Sequence, residues 1–453
     1  MAEKTIAAIS TPSGEGGIRV VRISGEDAVT VADRVFKSAS GKSLSELEGY
    51  TALFGHIYDG EEPIDEAVAT VFIAPKSYTG ENVCELSCHG GQLITSSVLR
   101  AVLKAGAVMA APGEFTKRAF LNGKLDLIEA ESVMGLISAK SREELRLQMA
   151  AKQGATGREL QKIEAALLEL SADFAAYSDY PDEDLPDLAP ENFQRLLFEA
   201  KSGLSRLLST FDTGKIIREG LKTAIVGKPN VGKSTLMNML SRETRSIVTD
   251  IAGTTRDVIE NTVSFGGLTL ILADTAGIHQ TDDLVEGVGI ELAKERIGTS
   301  QLVLALFDGS EELDEDDREL TDLLNPENTV IILNKSDKGQ RLSSADFEGF
   351  TTVTVSAREK SGEEELEAAV KRISGAADLD AGAAVLLSER QRDLAEKAFK
   401  TITEAENLLK AGFTIDAVGV CVDDALSLLY TFDGKRVTNE VADEVFRRFC
   451  VGK

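Results

Sequence analysis

Four short motifs in this chain each begin where an apolar run ends, and their residue types fit the recognition of a guanine nucleotide. The run 223–227 reads as a buried strand. It leads directly into Gly227-Lys-Pro-Asn230-Val231-Gly232-Lys233-Ser234-Thr235, ahead of a helix-like stretch holding Leu236, Met237 and Leu240. Glycines in such a loop let backbone N–H groups close around a β-phosphate and the helix dipole favours the anion, while Lys233 adds positive charge and Ser234 a hydroxyl for Mg2+. Asp274-Thr275-Ala276-Gly277 ends the run 268–273, so Asp274 can hold Mg2+ through water and the Gly277 N–H can meet a γ-phosphate. Asn334-Lys335-Ser336-Asp337 follows the apolar run 329–333. A carboxylate at Asp337 accepts from N1–H and N2–H of guanine together, a pair adenine does not offer. Ser356-Ala357, after the run 351–355, lies where a backbone N–H can reach guanine O6. Each motif alone also reads as a strand-end turn; four in this order point to GTP.

Hydrolysis needs more than binding. Ras-like enzymes carry a Gln directly after the Asp-x-x-Gly motif, and here that position is Ile278. An arginine finger supplies about 10⁵ in rate, roughly 7 kcal/mol, so another positive charge must stand near the β- and γ-phosphates. Asn230 of the phosphate loop and the segment Thr249-Asp250-Ile251-Ala252-Gly253-Thr254-Thr255-Arg256-Asp257 offer oxygens for a monovalent cation in that place. Thr255 is the natural second Mg2+ ligand, closing the segment only over a γ-phosphate. A solvated switch loop without an ion remains the alternative reading. Residue chemistry leaves Glu286 open between a helix-start carboxylate and a residue that positions water.

These motifs require strands and helices in alternation, and residues 219–378 supply them, which predicts an α/β P-loop domain with a mostly parallel sheet covered on both faces. On either side the rhythm is helical. Ile163, Leu167, Leu170, Phe174 and Tyr177 recur at helical spacing, as do Leu197, Ala200, Leu204, Leu207 and Phe211, and again Leu394, Ala398, Ile402, Ala405 and Leu409 before a stop near Gly412. A single all-α domain, split into 119–218 and 379–453 by the inserted domain, is the expectation. Residues 1–118 read as an N-terminal α+β domain, with strand-like runs at 5–10, 18–24, 67–73 and 83–87 and a helix-like run at 92–104.

The 453 residues suit several domains, and 43% hydrophobic residues suffice for their cores. No run of about 18 apolar residues or signal-like h-region is present, which predicts a cytoplasmic protein without membrane contact. The four cysteines are too few and scattered for a disulfide framework. Cys84, Cys88 and His89 are too few for a zinc site, and buried strand cysteines beside a loop histidine are expected instead. A net charge of −26 opposes contact with nucleic acid unless a local basic surface or a basic partner offsets it.

Further segments carry a resemblance: Thr11-Pro-Ser-Gly-Glu-Gly-Gly17 with Val21-Arg22-Ile23-Ser24-Gly25, Ser77-Tyr-Thr-Gly-Glu81 with Glu85-Leu86 and His89-Gly-Gly91, the run from Pro112 to Asp126, and Phe449-Cys450-Val451-Gly452-Lys453. With the nucleotide motifs they make the chain resemble the MnmE (TrmE) family of tRNA-modification GTPases end to end. The resemblance implies an N-terminal domain that dimerises and binds a formyl-tetrahydrofolate type of one-carbon donor, with Arg22, Glu85, Lys124 and Lys453 at folate-contacting positions. It implies K+ ligands at Asn230, Thr249, Ile251 and Thr254, a catalytic glutamate at Glu286 and a candidate thiol at Cys450. It further implies a homodimer and a flavoprotein partner, MnmG (GidA). With that partner the family places an aminomethyl or carboxymethylaminomethyl group on C5 of the wobble uridine of certain tRNAs. The family commonly ends Cys-Ile-Gly-Lys, and this chain has Val451, one methylene smaller. A regulatory GTPase of ribosome assembly shares the nucleotide motifs and is the competing reading; such proteins typically append a compact RNA-binding domain.

Overall fold

The computed structural model describes residues 4–179, 190–241, 262–272, 294–380, 382–447 and 449–453. They divide into two compact units: one holds the residues up to Met134 together with Leu426–Lys453, the other the described residues between them.

The first unit is built on a seven-stranded sheet of β1 (Ile6–Ile9), β2 (Ile18–Ser24), β3 (Phe36–Ser38), β4 (Thr51–Asp59), β5 (Glu62–Phe72), β6 (Val83–His89) and β7 (Val108–Met109) in the order β3-β4-β5-β6-β2-β1-β7. All pairings are antiparallel except β1 with β7. Strand alternation divides the side chains between two faces. Val21 and Ile23 of β2 and Cys84, Leu86 and Cys88 of β6 enter a core shared with the helices Ala28–Val35 and Gln92–Lys104. Arg22 and Glu85, paired across the two strands, belong to the opposite face. Cys84 and His89 therefore leave β6 on opposite sides and cannot converge on one ion. The end of the chain belongs to this unit as well. Phe446 and Phe449 are buried with Leu127 and Ala130, and the helix Glu114–Leu121 begins at Gly113, where φ is +68° and a Cβ would stand 2.6 Å from the carbonyl oxygen of Phe446.

In the second unit the helices Ala155–Asp179, Pro190–Ser209 and Glu389–Lys410 bury the predicted stripes. Ile163, Leu167, Leu170 and Phe174 are inside, as are Leu197, Ala200, Leu204, Ala398, Ile402 and Ala405, and Phe174 meets Phe193 edge-on at 4.9 Å. Gly412 has φ of +75° just beyond the last of these helices, as its spacing predicts. The side chain of Tyr177 lies outside the description.

The same unit carries a six-stranded sheet of β8 (Leu221–Val226), β9 (Thr262–Phe265), β10 (Leu268–Leu272), β11 (Leu302–Asp308), β12 (Thr329–Asn334) and β13 (Thr351–Thr354) in the order β13-β12-β11-β8-β10-β9. It is parallel except for the β9–β10 hairpin, which turns at Gly266 and Gly267, both with positive φ. Apolar residues of β8, β11 and β12 point alternately into two separate cores, so both faces are covered. Among the described residues no helix is long and apolar enough to cross a membrane.

Candidate functional site

β8 is a central strand, and at its end the backbone departs from strand geometry wherever a phosphate cradle requires. Gly227 has φ of +146° and a Cβ there would lie 2.4 Å from the Leu306 carbonyl oxygen; Asn230 has φ of +63°; Gly232 has φ of +105°. The helix Lys233–Leu240 starts directly after Gly232, and no side chain caps its N-terminus. Ser234 and Thr235 are exposed there and Val231 is buried beneath the loop. Lys233 Nζ donates to the carbonyls of Gly227 at 2.8 Å and Lys228 at 2.7 Å. Burial, and then the charge of Arg296, push its ammonium below the usual lysine range.

The end of β12 faces this loop. Asn334, 3% exposed, donates through Nδ2 to the Val231 carbonyl at 2.7 Å and accepts at Oδ1 from the Ala357 N–H at 3.0 Å, so one side chain ties the phosphate loop to the Ser356-Ala357 turn. Lys335 takes φ of +64° and its Nζ meets Asp308 Oδ2 at 2.6 Å. Burial alone would raise the Asp308 carboxyl, but Lys335 and Ser310 outweigh it and hold the group below the usual aspartate range. Asp337 accepts from Ser356 Oγ at 2.7 Å, and that hydrogen bond keeps its carboxyl low and ionised, the form that can accept two guanine N–H groups.

Asn230, Val231, Gly232, Lys233, Ser234, Thr235, Asn334, Lys335, Asp337, Ser356 and Ala357 thus share one edge of the sheet, at the carboxyl ends of β8, β12 and β13. Thr249, Asp250, Ile251, Ala252, Gly253, Thr254, Thr255, Asp274, Thr275, Ala276, Gly277 and Glu286 lie outside the described residues. Sequence reasoning missed Lys228 and Asp308. Lys228 Nζ pairs with Asp317 at 2.8 Å and with Asp314, the two residues that form the capping box of the helix Glu315–Asp322. For Asp308 the available signal was the Asp308-Gly309 pair at the end of an apolar strand, whose Gly309 N–H reaches the Asn334 carbonyl at 2.8 Å.

A second cluster lies in the first unit. Arg22 Nε donates to Glu85 Oε1 at 2.8 Å and its Nη1 reaches the Gly452 carbonyl at 3.5 Å, while its guanidinium stands 5.7 Å from the ring centres of Tyr78 and Phe115. Gly452 has φ of +95° and a Cβ would fall 2.3 Å from the Ile9 carbonyl oxygen. Burial, and then Arg22, lower the Lys453 ammonium from its usual range. Lys124 is not in that group: its Nζ donates to the Pro75 carbonyl at 3.1 Å. Cys450 is exposed, and its carbonyl accepts from the Gly113 N–H at 3.3 Å. Behind the cluster a nearly buried Arg118 joins Glu81 at 3.1 Å and Glu114 at 2.8 Å, and Ser24 joins Thr79 and Glu81. None of this network was legible as a site from the sequence.

Comparison with known proteins covers the chain from end to end. The family model described as GTP-binding protein TrmE N-terminus matches residues 5–124, and that of the MnmE helical domain matches residues 127–450. A tRNA modification GTPase MnmE of Lactobacillus delbrueckii subsp. bulgaricus is 43% identical over 99% of this chain and 98% of its own length. The protein of the same name from Clostridioides difficile is 39% identical over 100% of this chain and 99% of its own. The solved G domain of the T. maritima FeoB iron transporter covers 34% of this chain and 98% of its own at 20% identity and a TM-score of 0.25, too low to carry an argument. With end-to-end relatives of this kind and a family model spanning most of its length, the chain belongs to the MnmE family of tRNA modification GTPases.

Proposed function

We propose that this chain is a K+-dependent GTP hydrolase that, with the flavoprotein MnmG (GidA) as partner, drives aminomethyl or carboxymethylaminomethyl modification of C5 of the wobble uridine in certain tRNAs. The observation that carries the nucleotide part is the single side chain of Asn334, which holds the phosphate loop and the Ser356-Ala357 turn around one edge of the sheet, with Asp337 ionised beside them. Gly227 and Gly232 leave room where a Cβ would collide, which fits a phosphate held by backbone N–H groups at a helix start. Ser234 and Thr255 would hold Mg2+, with Asp274 behind water. Asn230, Thr249, Ile251 and Thr254 would hold K+. Bound there, the two cations would supply the positive charge that phosphoryl transfer requires. Lys233 orients the β- and γ-phosphates, the Gly277 N–H meets the γ-phosphate, and Glu286 positions the attacking water.

In the same reading the Arg22, Glu85 and Lys453 cluster takes a formyl-tetrahydrofolate type of donor, whose carboxylates suit two neighbouring cations, with Lys124 as a further contact and Cys450 as a candidate thiol of the same domain. The domains run 1–118, 119–218, 219–378 and 379–453; the protein is a cytoplasmic homodimer. Two measurements test it. GTP turnover at constant ionic strength should fall steeply when K+ is exchanged for Na+, and equal rates reject the ion site. Mass spectrometry of tRNA from cells lacking the protein should show unmodified wobble uridines, and unchanged tRNA rejects the pathway role.

A further inference from the structure

The first unit has a cavity of about 480 Å3 beside the helix Ala28–Val35 and β3, and none of its lining residues belongs to the Arg22 cluster. Arg34, Lys37 and Lys42 line it. In a chain with 75 acidic and 49 basic residues, clustered cations are expected to find carboxylate partners; among the described residues none of these three forms an ion pair. Arg34 donates one N–H to the Ala105 carbonyl at 2.6 Å, which aims the guanidinium and leaves its other donors unused. Lys37 Nζ lies over the Tyr58 ring at 4.5 Å, and Lys42 is exposed and unattached.

The one carboxylate in the wall, Asp33, is already engaged. Its oxygens accept from the Leu44 N–H at 2.7 Å, the Ser45 N–H at 3.2 Å, the Ser45 hydroxyl at 3.0 Å and the Ser43 hydroxyl. Burial works against its charge, but these donors prevail and keep it ionised, pinning the loop that carries Lys42. Local charge in the cavity is net positive, and its size matches ordinary small-ligand sites. We propose that this cavity binds a phosphate ester, and that the ester is a backbone phosphate of bound RNA. The choice of RNA rests on the tRNA reading above. It also answers the question set by the charge of −26, since RNA affinity requires a local group of cations able to release counterions.

The test uses the full chain, the single variant Lys42→Glu, and the triple variant Arg34→Gln, Lys37→Gln, Lys42→Gln. A labelled tRNA transcript is titrated between 50 and 200 mM KCl, and uridine monophosphate is titrated separately. The triple variant should bind tRNA about tenfold or more weakly at low salt, with a salt slope shallower by roughly 2. Lys42→Glu, which removes no internal contact, should shift the same way while GTP turnover stays unchanged. If uridine monophosphate binds the wild type and not the triple variant, with tRNA binding unaltered, the occupant is a free phosphate ester and the RNA assignment is overturned. If neither probe distinguishes wild type from variants, the cavity is no phosphate site. Should wild type bind no tRNA at all, the tRNA reading itself fails, and the uridine monophosphate arm alone decides the cavity.

Discussion

Asn334 holds in place both the phosphate loop and the turn proposed to reach guanine, which makes it a sharp probe of the site. In Asn334→Ala the Val231 carbonyl and the Ala357 N–H lose their partner in a buried place, at about 1–3 kcal/mol each. The expected outcome is a lower thermal midpoint and a fall in GDP affinity of about tenfold or more, read by fluorescent nucleotide titration. Asp337→Asn should instead exchange one base for another. An amide can donate to the 2-oxo group of xanthine where a carboxylate accepts from guanine, so GTP turnover falls and xanthosine triphosphate turnover rises. At this scale the motifs suggest contacts to ligand, as at Asp337 and Ser356, and are silent about contacts within the protein. The ties of Asn334 to Val231, and of Lys228 to Asp317, join residues 103 and 89 positions apart, and nothing local encodes them.

Among the elements, the helix Arg142–Lys152 shows how a buried acid couples stability to pH. Glu144 is 4% exposed and closes the helix start by accepting from the Lys140 N–H at 2.8 Å. Burial raises its carboxyl from the ordinary 4.5 to about 7, against that hydrogen bond. The folded state then keeps a proton that the unfolded chain has released, so stability falls as pH rises from 4.5 to about 7 and levels off above. For one proton the slope is at most about 1.4 kcal/mol per pH unit. Urea midpoints measured from pH 5 to 8 should show this decline in the wild type and a flatter profile in Glu144→Gln.

Elements with strong periodicity were legible: β2 and the helix Gln92–Lys104 occupy their predicted residues, and Glu389–Lys410 carries its predicted stripe. The helix Ala28–Val35 was not, because Val29, Thr30, Val31 and Val35 are β-branched and local preference opposes the helix that packing enforces. The first half of β5 was hidden by Glu62, Pro63, Asp65 and Glu66, whose polarity masks a strand paired with β4.

For the molecule as a whole, the alternation of elements made the inserted α/β architecture legible, because burial on both faces of a parallel sheet leaves unbroken apolar runs. Where the chain's last residues pack came only with three dimensions. Removing Val451, Gly452 and Lys453 takes away the carbonyl that Arg22 reaches and the neighbouring ammonium. GTP hydrolysis should be unchanged in this truncation, while calorimetry should find binding of a folate-type donor lost; retained donor binding would clear the Arg22 cluster of that role.

The closing of the first unit by its distant end also governs when it can form. Phe446 and Phe449 are needed inside the same unit as Leu127 and Gly113, yet Met134 and Leu426 are separated by the other unit's residues. At about 5–20 residues per second, a ribosome takes on the order of tens of seconds to synthesise the intervening stretch. Throughout that interval the nascent sheet has its strands but lacks its final aromatic plug, so chaperone dependence should concentrate in this early-made, late-finished half.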